Sequence, residues 1–268
     1  MVEPEAAIAI NAASFLVSAI VLLGLRHTAA ARPAGVRSTV KRSLGDGATA
    51  LFGDRMVRRA LVIVSVTGAL GTVDEALVVP YAARIGLGEG ALGLLAAAVP
   101  VGALLATAAI STGTRDHHVL LRNAAWCATL TAALAAPLFW FEASGAMAFL
   151  AFTVAGGIFA VSIPTNIVIG MRLSRDTRAS AMGIAVGLLM GSQALGAAVG
   201  GFAASVVGPP RAIAGALTAA AAFGLWSALT TPTEAKHLMR QGRRAAADDR
   251  AVVDLVALEA ERPSVSVP

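Results

Sequence analysis

Long runs of apolar residues dominate the hydrophobic pattern, and shorter polar stretches between them carry nearly all of the charge. A helix that crosses the hydrocarbon core of a bilayer needs about 20 mostly apolar residues. Seven runs reach that length, so the pattern predicts an all-α integral membrane protein with seven transmembrane helices, lettered A to G. Their predicted ranges are 6–25 (A), 59–83 (B), 91–112 (C), 119–141 (D), 146–171 (E), 180–207 (F) and 211–230 (G).

Two segments are too polar to cross a membrane. Residues 26–58 form a basic, glycine-containing linker, and residues 231–268 form a polar tail in which AVVDLVALEAE has the pattern of a short amphipathic helix. The predicted organisation is therefore a first transmembrane helix within 1–25, the linker at 26–58, a six-helix bundle at 59–230, and the tail at 231–268.

Composition and charge placement support this organisation. The chain is 57% hydrophobic and 14% charged, whereas soluble domains carry about 25% charged residues. When loops alternate across the membrane, Arg84 and Arg211 are the two exceptions among 21 Lys and Arg residues, and all the others fall on one side. Cationic loops stay cytoplasmic. The pattern thus predicts a bacterial plasma (inner) membrane protein with its N-terminus outside and its C-terminus inside. The positive charge is explained by topology, so nucleic-acid binding is not predicted.

Two adjacent carboxylates, Asp74 and Glu75, lie in the apolar helix B, a few residues past its midpoint. A carboxylate at that depth costs about 2.5–3.5 kcal/mol on insertion scales. Neighbouring residues on a helix point about 100° apart, so the two acids face different directions. No Lys or Arg lies in the apolar core of another helix, and we expect at least one acid to take up a proton more readily than a free carboxylate. The pair is a candidate proton carrier or cationic-substrate site. If helix B is tilted, the pair instead lies in the outer headgroup zone.

Other polar residues in the predicted spans are weaker candidates. Asn166 follows Pro164 in helix E, and Gln193 lies near the centre of helix F. An interhelical hydrogen bond is the more common role for such residues, and contact with a substrate is the alternative. Pro164 removes an internal hydrogen bond, so we expect helix E to bend near it.

Helix F carries a stripe of small residues. At 100° per residue they share one narrow face, which predicts close packing against a neighbour along the whole helix. Gly196 and Gly200 form a second patch on another face. The stripe consists of Gly183, Gly187, Gly191, Ala194, Ala198, Gly201 and Ser205.

Several short motifs do not predict an enzyme, a cofactor or a metal site. A G-x-G-x-x-G match at Gly88, Gly90 and Gly93 falls in a loop between two spans with no strand before it. His117 and His118 have one nearby acid, Asp116, which is a poor metal-binding set. The single cysteine excludes an internal disulfide.

The stretch SIPTNIVIGMRLSRDTRASAMGIAVGLLMGSQALGAAVGG resembles the tenth helix, basic loop and eleventh helix of the major facilitator superfamily. Helix A, AAIAINAASFLVSAIVLLGLRH, resembles the sixth helix of exporters in that family, and the linker is similar to the central loop between its two halves. The loop STGTRDHHVLLRN keeps Gly113 and Asp116 of the family's loop signature and otherwise departs from it. The resemblance implies that helices B to G correspond to helices seven to twelve.

By this resemblance the chain is the carboxy-terminal portion of a proton-coupled exporter of small amphipathic molecules. Asp74 and Glu75 would carry protons or meet a cationic substrate, and Asn166 and Gln193 would be auxiliary polar contacts. The implied partners are the bilayer, a small-molecule substrate, protons, and a missing N-terminal half or a second chain that completes the cavity. Two alternatives stay open: a non-transporting seven-helix membrane protein, and an inactive transporter fragment.

Overall fold

The computed structural model describes residues 40–110, 116–142 and 144–231, together with positions 13, 16–18, 20 and 21. Those six positions are helical. Most of predicted helix A, the linker before residue 40, and nearly all of the predicted tail lie outside the described residues.

The described residues from 40 onward form eight α-helices and one 3₁₀ segment, with no strand among them. Three of the helices contain an internal proline: Pro80 in α2, Pro100 in α3 and Pro137 in α4. The helices are α1 (Val40–Gly53), α2 (Arg55–Arg84), α3 (Glu89–Ile110), α4 (His117–Trp140), α5 (Ala146–Gly156), α6 (Ser162–Arg172), α7 (Arg175–Val207) and α8 (Pro209–Thr230), and the 3₁₀ segment is Gly157–Val161.

Predicted helices B to G are confirmed as helical elements. Six described helices are long and apolar enough to cross a membrane: α2, α3, α4, α7, α8 and the α5–α6 stretch Ala146–Arg172. The largest boundary difference is at α7, which begins at Arg175 where the apolar pattern begins at 180. These five residues, four of them polar, continue the helix beyond its apolar part. The chain thus has the length and hydropathy pattern of a multi-pass membrane protein.

The predicted linker contains a helix, α1, that the sequence analysis did not assign. Gly47 lies against Ser180 and Ala181 at the start of α7, close enough that a Cβ would meet the Ser180 hydroxyl at 2.6 Å. Leu51 is fully buried in a cluster with Val57 and Leu121. Tertiary contact therefore stabilises a segment whose glycines disfavour a helix in isolation.

Predicted helix E is divided by the 3₁₀ segment between α5 and α6. Pro164 lacks the amide that would donate to the carbonyl of Ala160, and its ring crowds that carbonyl. The irregular turn lies directly on the N-terminal side of this proline. The predicted disturbance near Pro164 thus takes the form of a local tightening of the helix.

Close backbone contacts fix how the helices cross. Added Cβ atoms on Gly102 and Gly156 would run into the carbonyl oxygens of Thr153 and Val99, so α3 and α5 touch backbone to backbone. The most extensive pairings are α4 with α8 and α2 with α7. Without larger side chains at these positions, the helices approach closely enough for extended van der Waals contact.

One end of the bundle is held together by basic side chains, and we call it the basic end. Arg172 of α6 forms an ion pair with Asp54, at 3.0 Å between Nη1 and Oδ2. Arg59 of α2 donates to the carbonyl oxygens of Thr230 and Ser227 in the last turn of α8, both at 3.0 Å. The last carbonyls of a helix have few partners within the helix, and a guanidinium adds donors to them.

Asp54 is the N-cap of α2. Its Oδ1 accepts hydrogen bonds from the amides of Met56, at 2.7 Å, and Val57, at 3.2 Å. Partial burial acts to raise the pKa of this carboxyl, but the two amide hydrogen bonds and Arg172 outweigh burial and hold the pKa below its ordinary value.

At the opposite end of the bundle, Arg84 pairs with Glu142, with 2.9 Å between Nη2 and Oε1. Both side chains are nearly half exposed, so this pair contributes little to stability. The turns at Gly86, Gly145 and Gly208 all have positive φ, where glycine is the favoured residue.

Candidate functional site

Asp74 is 1% exposed in the middle part of α2. Its Oδ1 accepts a hydrogen bond of 2.8 Å from the amide of Glu75. Its Oδ2 is buried and has no hydrogen-bond partner. The structure therefore places this acid inside the bundle, away from the bundle surface.

Along the face of α2 that carries Asp74, the residues before and after this acid are also buried. Gly71 is covered by Ile158 of the 3₁₀ segment, whose Cγ2 lies 2.6 Å from the position of a Cβ. Seven residues before Asp74, the Thr67 hydroxyl is buried and donates to the carbonyl of Ile63 at 2.6 Å. Seven residues after it, Tyr81 is fully buried.

Tyr81 belongs to a closed aromatic triad. Its ring packs edge-on against Phe139 and Phe152, with centroids 5.4 and 5.3 Å away, and those two rings are 5.0 Å apart. Edge-to-face pairs of this kind stabilise beyond the area they bury, by about 0.5–1.5 kcal/mol each. The triad therefore forms a rigid apolar layer between the level of Asp74 and the opposite end.

Neither ion pair among the described residues includes Asp74. The cationic residues of α2 lie at its ends, and Arg84, ten residues further on, is about 15 Å away along the axis at 1.5 Å per residue. A carboxyl buried at this depth without a cation is an unusual and costly feature.

Glu75 is exposed, in contrast to its neighbour. Val79, one turn further on, is also exposed on this face of α2. The predicted divergence of the two acids is thus realised as one buried carboxyl and one open carboxyl. They do not form a shared site with both groups in one cavity.

Gln193 of α7 lies against α2 where a glycine leaves space. Its Nε2 is 3.5 Å from the position of a Cβ on Gly68, two turns before Glu75. Beside it, the Ser192 hydroxyl donates to the carbonyl of Ser65 across the same crossing, at 3.0 Å. The hydroxyl of Ser65 is itself buried with no hydrogen-bond partner. Sequence reasoning missed both serines, because a serine in an apolar span usually bonds to its own helix.

Asn166 is exposed on α6. No described hydrogen bond joins it to Asp74, Glu75 or Gln193. The structure therefore does not bring all four polar candidates together.

The main glycine stripe of α7 meets no neighbour within the described residues, so its predicted close packing stays a prediction. A Cβ on Gly183, Gly187, Gly191 or Gly201 would meet nothing within 4 Å, and the stripe is exposed. Close packing occurs instead at the second patch, where Gly196 touches the carbonyl of Ala69, and Gly200 lies against the Val73 side chain, in α2. Angular phasing identifies a face of small residues, but it does not identify which face meets a neighbour.

His117 and His118 lie in the first turn of α4, and Asp116 is its N-cap, accepting from the amide of His118 at 2.7 Å. Among the described residues, no group of three or more His, Cys, Asp or Glu side chains has a geometry that could hold a metal ion.

Comparison with protein-family models finds no match, and comparisons with curated proteins and with solved structures also find none. The resemblance to the major facilitator superfamily therefore remains a prediction that rests on the sequence stretches quoted above.

Proposed function

We propose that this chain is part of a proton-coupled secondary transporter of the major facilitator type, which exports a small amphipathic molecule. The observation that carries the proposal is Asp74, a carboxyl 1% exposed within an apolar helix and without a cationic partner among the described residues. Ionisable groups inside membrane helices are costly, and they commonly serve ion or substrate pathways.

In this proposal Asp74 is the proton carrier. A charged carboxylate without a cation is far more costly to bury than a neutral carboxylic acid, so Asp74 would hold its proton in the buried position. Movement of α2 against the 3₁₀ segment that covers Gly71 would open this face and allow release. Glu75, already exposed on the neighbouring face, would receive protons or attract a cationic substrate.

The polar crossing of α2 and α7 supplies the second part of the proposal. Gln193 and the serine pair Ser65 and Ser192 lie near one another in an otherwise apolar contact. Such groups would hydrogen-bond to a substrate that enters between the helices. Asn166, on the exposed side of α6, would be a more distant polar contact.

The open face of α7 supports an opposing half or a second chain as the partner. Only 6% of an apolar 18-residue stretch of α7 is buried among the described residues. Its open glycines would let another helix approach closely. Transporters of this type bind substrate between two halves that rock against each other. Gly183, Gly187, Gly191 and Gly201 would then serve the contact between halves.

The test is Asp74→Asn, which keeps the shape of the side chain and removes its proton chemistry. Cells that express the full chain with its native partner proteins are loaded with ethidium, a lipophilic cation, and efflux is followed by fluorescence under an imposed pH gradient. We expect the variant to lose gradient-driven efflux by at least about tenfold, which corresponds to 1.4 kcal/mol. Membrane insertion should stay unchanged.

Asp46→Asn is the matched control, because Asp46 is an exposed acid in α1 and takes part in neither described ion pair. Its efflux should equal that of the unmodified protein. If efflux by Asp74→Asn depends on pH as steeply as efflux by the unmodified protein, the coupling role is contradicted. Efflux that is absent from the unmodified protein with a panel of cationic and neutral dyes would favour the non-transporting alternative.

A further inference from the structure

A groove of about 430 Å³ lies between α2, α7 and α8, and Asp74 is not among the residues that line it. Its walls are almost entirely apolar, and they include Leu70, Val73, Leu195 and Val199. Small residues line part of the groove and leave its space open. On α8 these are Ala212, Gly215 and Ala216.

The groove opens on the surface of the bundle. Leu195 and Val199 line it and are 66% and 59% exposed. In a membrane such a surface meets acyl chains, so the groove is accessible from the hydrocarbon phase.

The length of the groove matches one leaflet. On α7 its lining runs from Val207, in the last turn, to Leu195, twelve residues earlier. Twelve residues at 1.5 Å each span about 18 Å, and half of the hydrocarbon core is about 15 Å thick. An acyl chain lying in the groove would thus extend from the membrane interface to about the midplane.

One cation stands at the interfacial end. Arg211, in the first turn of α8, lines the groove and is exposed. The nearby Arg84, whose Nη1 is 3.8 Å from the position of a Cβ on Gly208, already has Glu142 as its partner. Arg211 takes part in neither ion pair of the described residues.

The position of Arg211 is electrostatically unfavourable without an anion. A helix N-terminus carries partial positive charge, so a cation in the first turn is repelled by it. The first turn of α8 contains no acidic residue. A phosphate beside Arg211 would relieve this repulsion and would form charge-assisted hydrogen bonds with the guanidinium.

We propose that this groove binds an anionic phospholipid of the surrounding leaflet, with an acyl chain along α7 and the phosphate against Arg211. An apolar groove as long as one leaflet, with a guanidinium at headgroup level, fits this ligand in both shape and charge. The proposal requires only that the bundle lies in a membrane, and it stands independently of transport.

The test uses the full-length protein in a mild detergent with equal amounts of phosphatidylglycerol and phosphatidylethanolamine of identical chains. Native mass spectrometry then counts the lipids that stay bound. We expect the unmodified protein to retain phosphatidylglycerol preferentially. Arg211→Gln should reduce that preference by about tenfold, since one charge-assisted contact is lost, and Arg211→Lys should preserve most of it.

A second variant tests the apolar part. A Cβ on Gly215 meets nothing within 4 Å, so Gly215→Leu fills space beside α8 without displacing backbone. It should reduce the retention of both lipids. Gly170→Leu, at an equally open glycine of α6 that does not line the groove, should not.

Arg175→Gln is the charge control, because Arg175 is exposed at the other end of α7. It should leave the lipid preference unchanged. An unchanged preference in Arg211→Gln would overturn the proposal and leave Arg211 as an interfacial anchor. Undiminished retention of both lipids by Gly215→Leu would also overturn it. In a further sample with added myristate, retention of myristate in place of phospholipid would overturn it as well.

Discussion

At the residue scale, the two adjacent acids of α2 show how one helical step separates chemical environments. Asp74 is enclosed by the bundle, whereas Glu75 is exposed. The angular step of 100° follows from helix geometry alone. Which of the two directions is the interior depends on where the 3₁₀ segment and α7 lie, and the sequence does not contain that information in a local form.

Asp54 provides a residue-scale prediction about pH. Its lowered folded-state pKa means that its charge stabilises the fold above the unfolded pKa, about 3.9, and that this contribution disappears as the pH falls through the folded value. Asp54→Asn keeps an N-cap but loses the charge beside Arg172. We expect it to be less stable by about 0.5–1 kcal/mol near neutral pH, with the difference disappearing as the pH falls through the lowered folded-state pKa of Asp54.

The measurement is the unfolding temperature in a mild detergent across this pH range. Asp54→Ala should lose about 1 kcal/mol more, because it also removes the cap for Met56 and Val57. Asp46→Asn serves as the control, since the exposed Asp46 caps no helix in the structure. A constant difference between Asp54→Asn and the unmodified protein across the whole pH range would contradict the ionic contribution.

At the element scale, α7 has two faces of small residues with different roles in the structure. Gly196 and Gly200 meet α2, whereas Gly187 and its stripe meet nothing in the described chain. Both faces show regular phasing in the sequence. The structure separates them because only one faces α2, and the polar crossing at Ser65 and Ser192 lies on the same side.

This difference predicts opposite effects of one substitution. Gly196→Ala places a Cβ against the carbonyl of Ala69, so α2 and α7 must move apart. We expect a loss on the order of 1–3 kcal/mol, seen as a lower unfolding temperature in detergent. Gly187→Ala adds a Cβ in open space and should leave the bundle at least as stable.

Gly187→Leu extends the comparison to the proposed partner. If an opposing half covers the stripe, this variant should keep the stability of the isolated chain while reducing dye efflux. Equal loss of stability in Gly196→Ala and Gly187→Ala would mean that α7 is packed differently from the structure.

At the scale of the whole molecule, the contacts separate a basic end from an opposite end. At the first, Arg172 pairs with Asp54 and Arg59 bonds to the last turn of α8, and at the second, Arg84 pairs with Glu142. The positive-inside rule then predicts that the basic end is cytoplasmic.

Cysteine labelling in cells tests this orientation. Cys127 is the single cysteine of the sequence, and it is buried. In a Cys127→Ala background, one cysteine probe is introduced at a time: Ser144→Cys at the opposite end, or Asp176→Cys at the basic end. A membrane-impermeant maleimide should label the first in intact cells and the second only after permeabilisation. The reverse pattern would contradict the predicted topology.

The sequence by itself determined the six apolar spans of the described bundle. A bilayer demands long apolar helices with satisfied backbones, and a run of residues records that demand directly. Three other features were predictable because they too depend only on the local sequence. They are the charge of the loops, the different directions of Asp74 and Glu75, and the small-residue faces of α7.

Only the tertiary structure decided which of those faces met a neighbour. It placed the α2 contact of α7 at Gly196 and not at Gly187, and it stabilised α1 through Gly47 and Leu51. It placed the Ser192 hydroxyl against the carbonyl of Ser65, and it buried Asp74 about two turns before Tyr81 of the aromatic triad. It also left an open groove beside Arg211. In an apolar span nearly every face is compatible with lipid. The choice between lipid and protein therefore depends on packing between residues far apart in the chain.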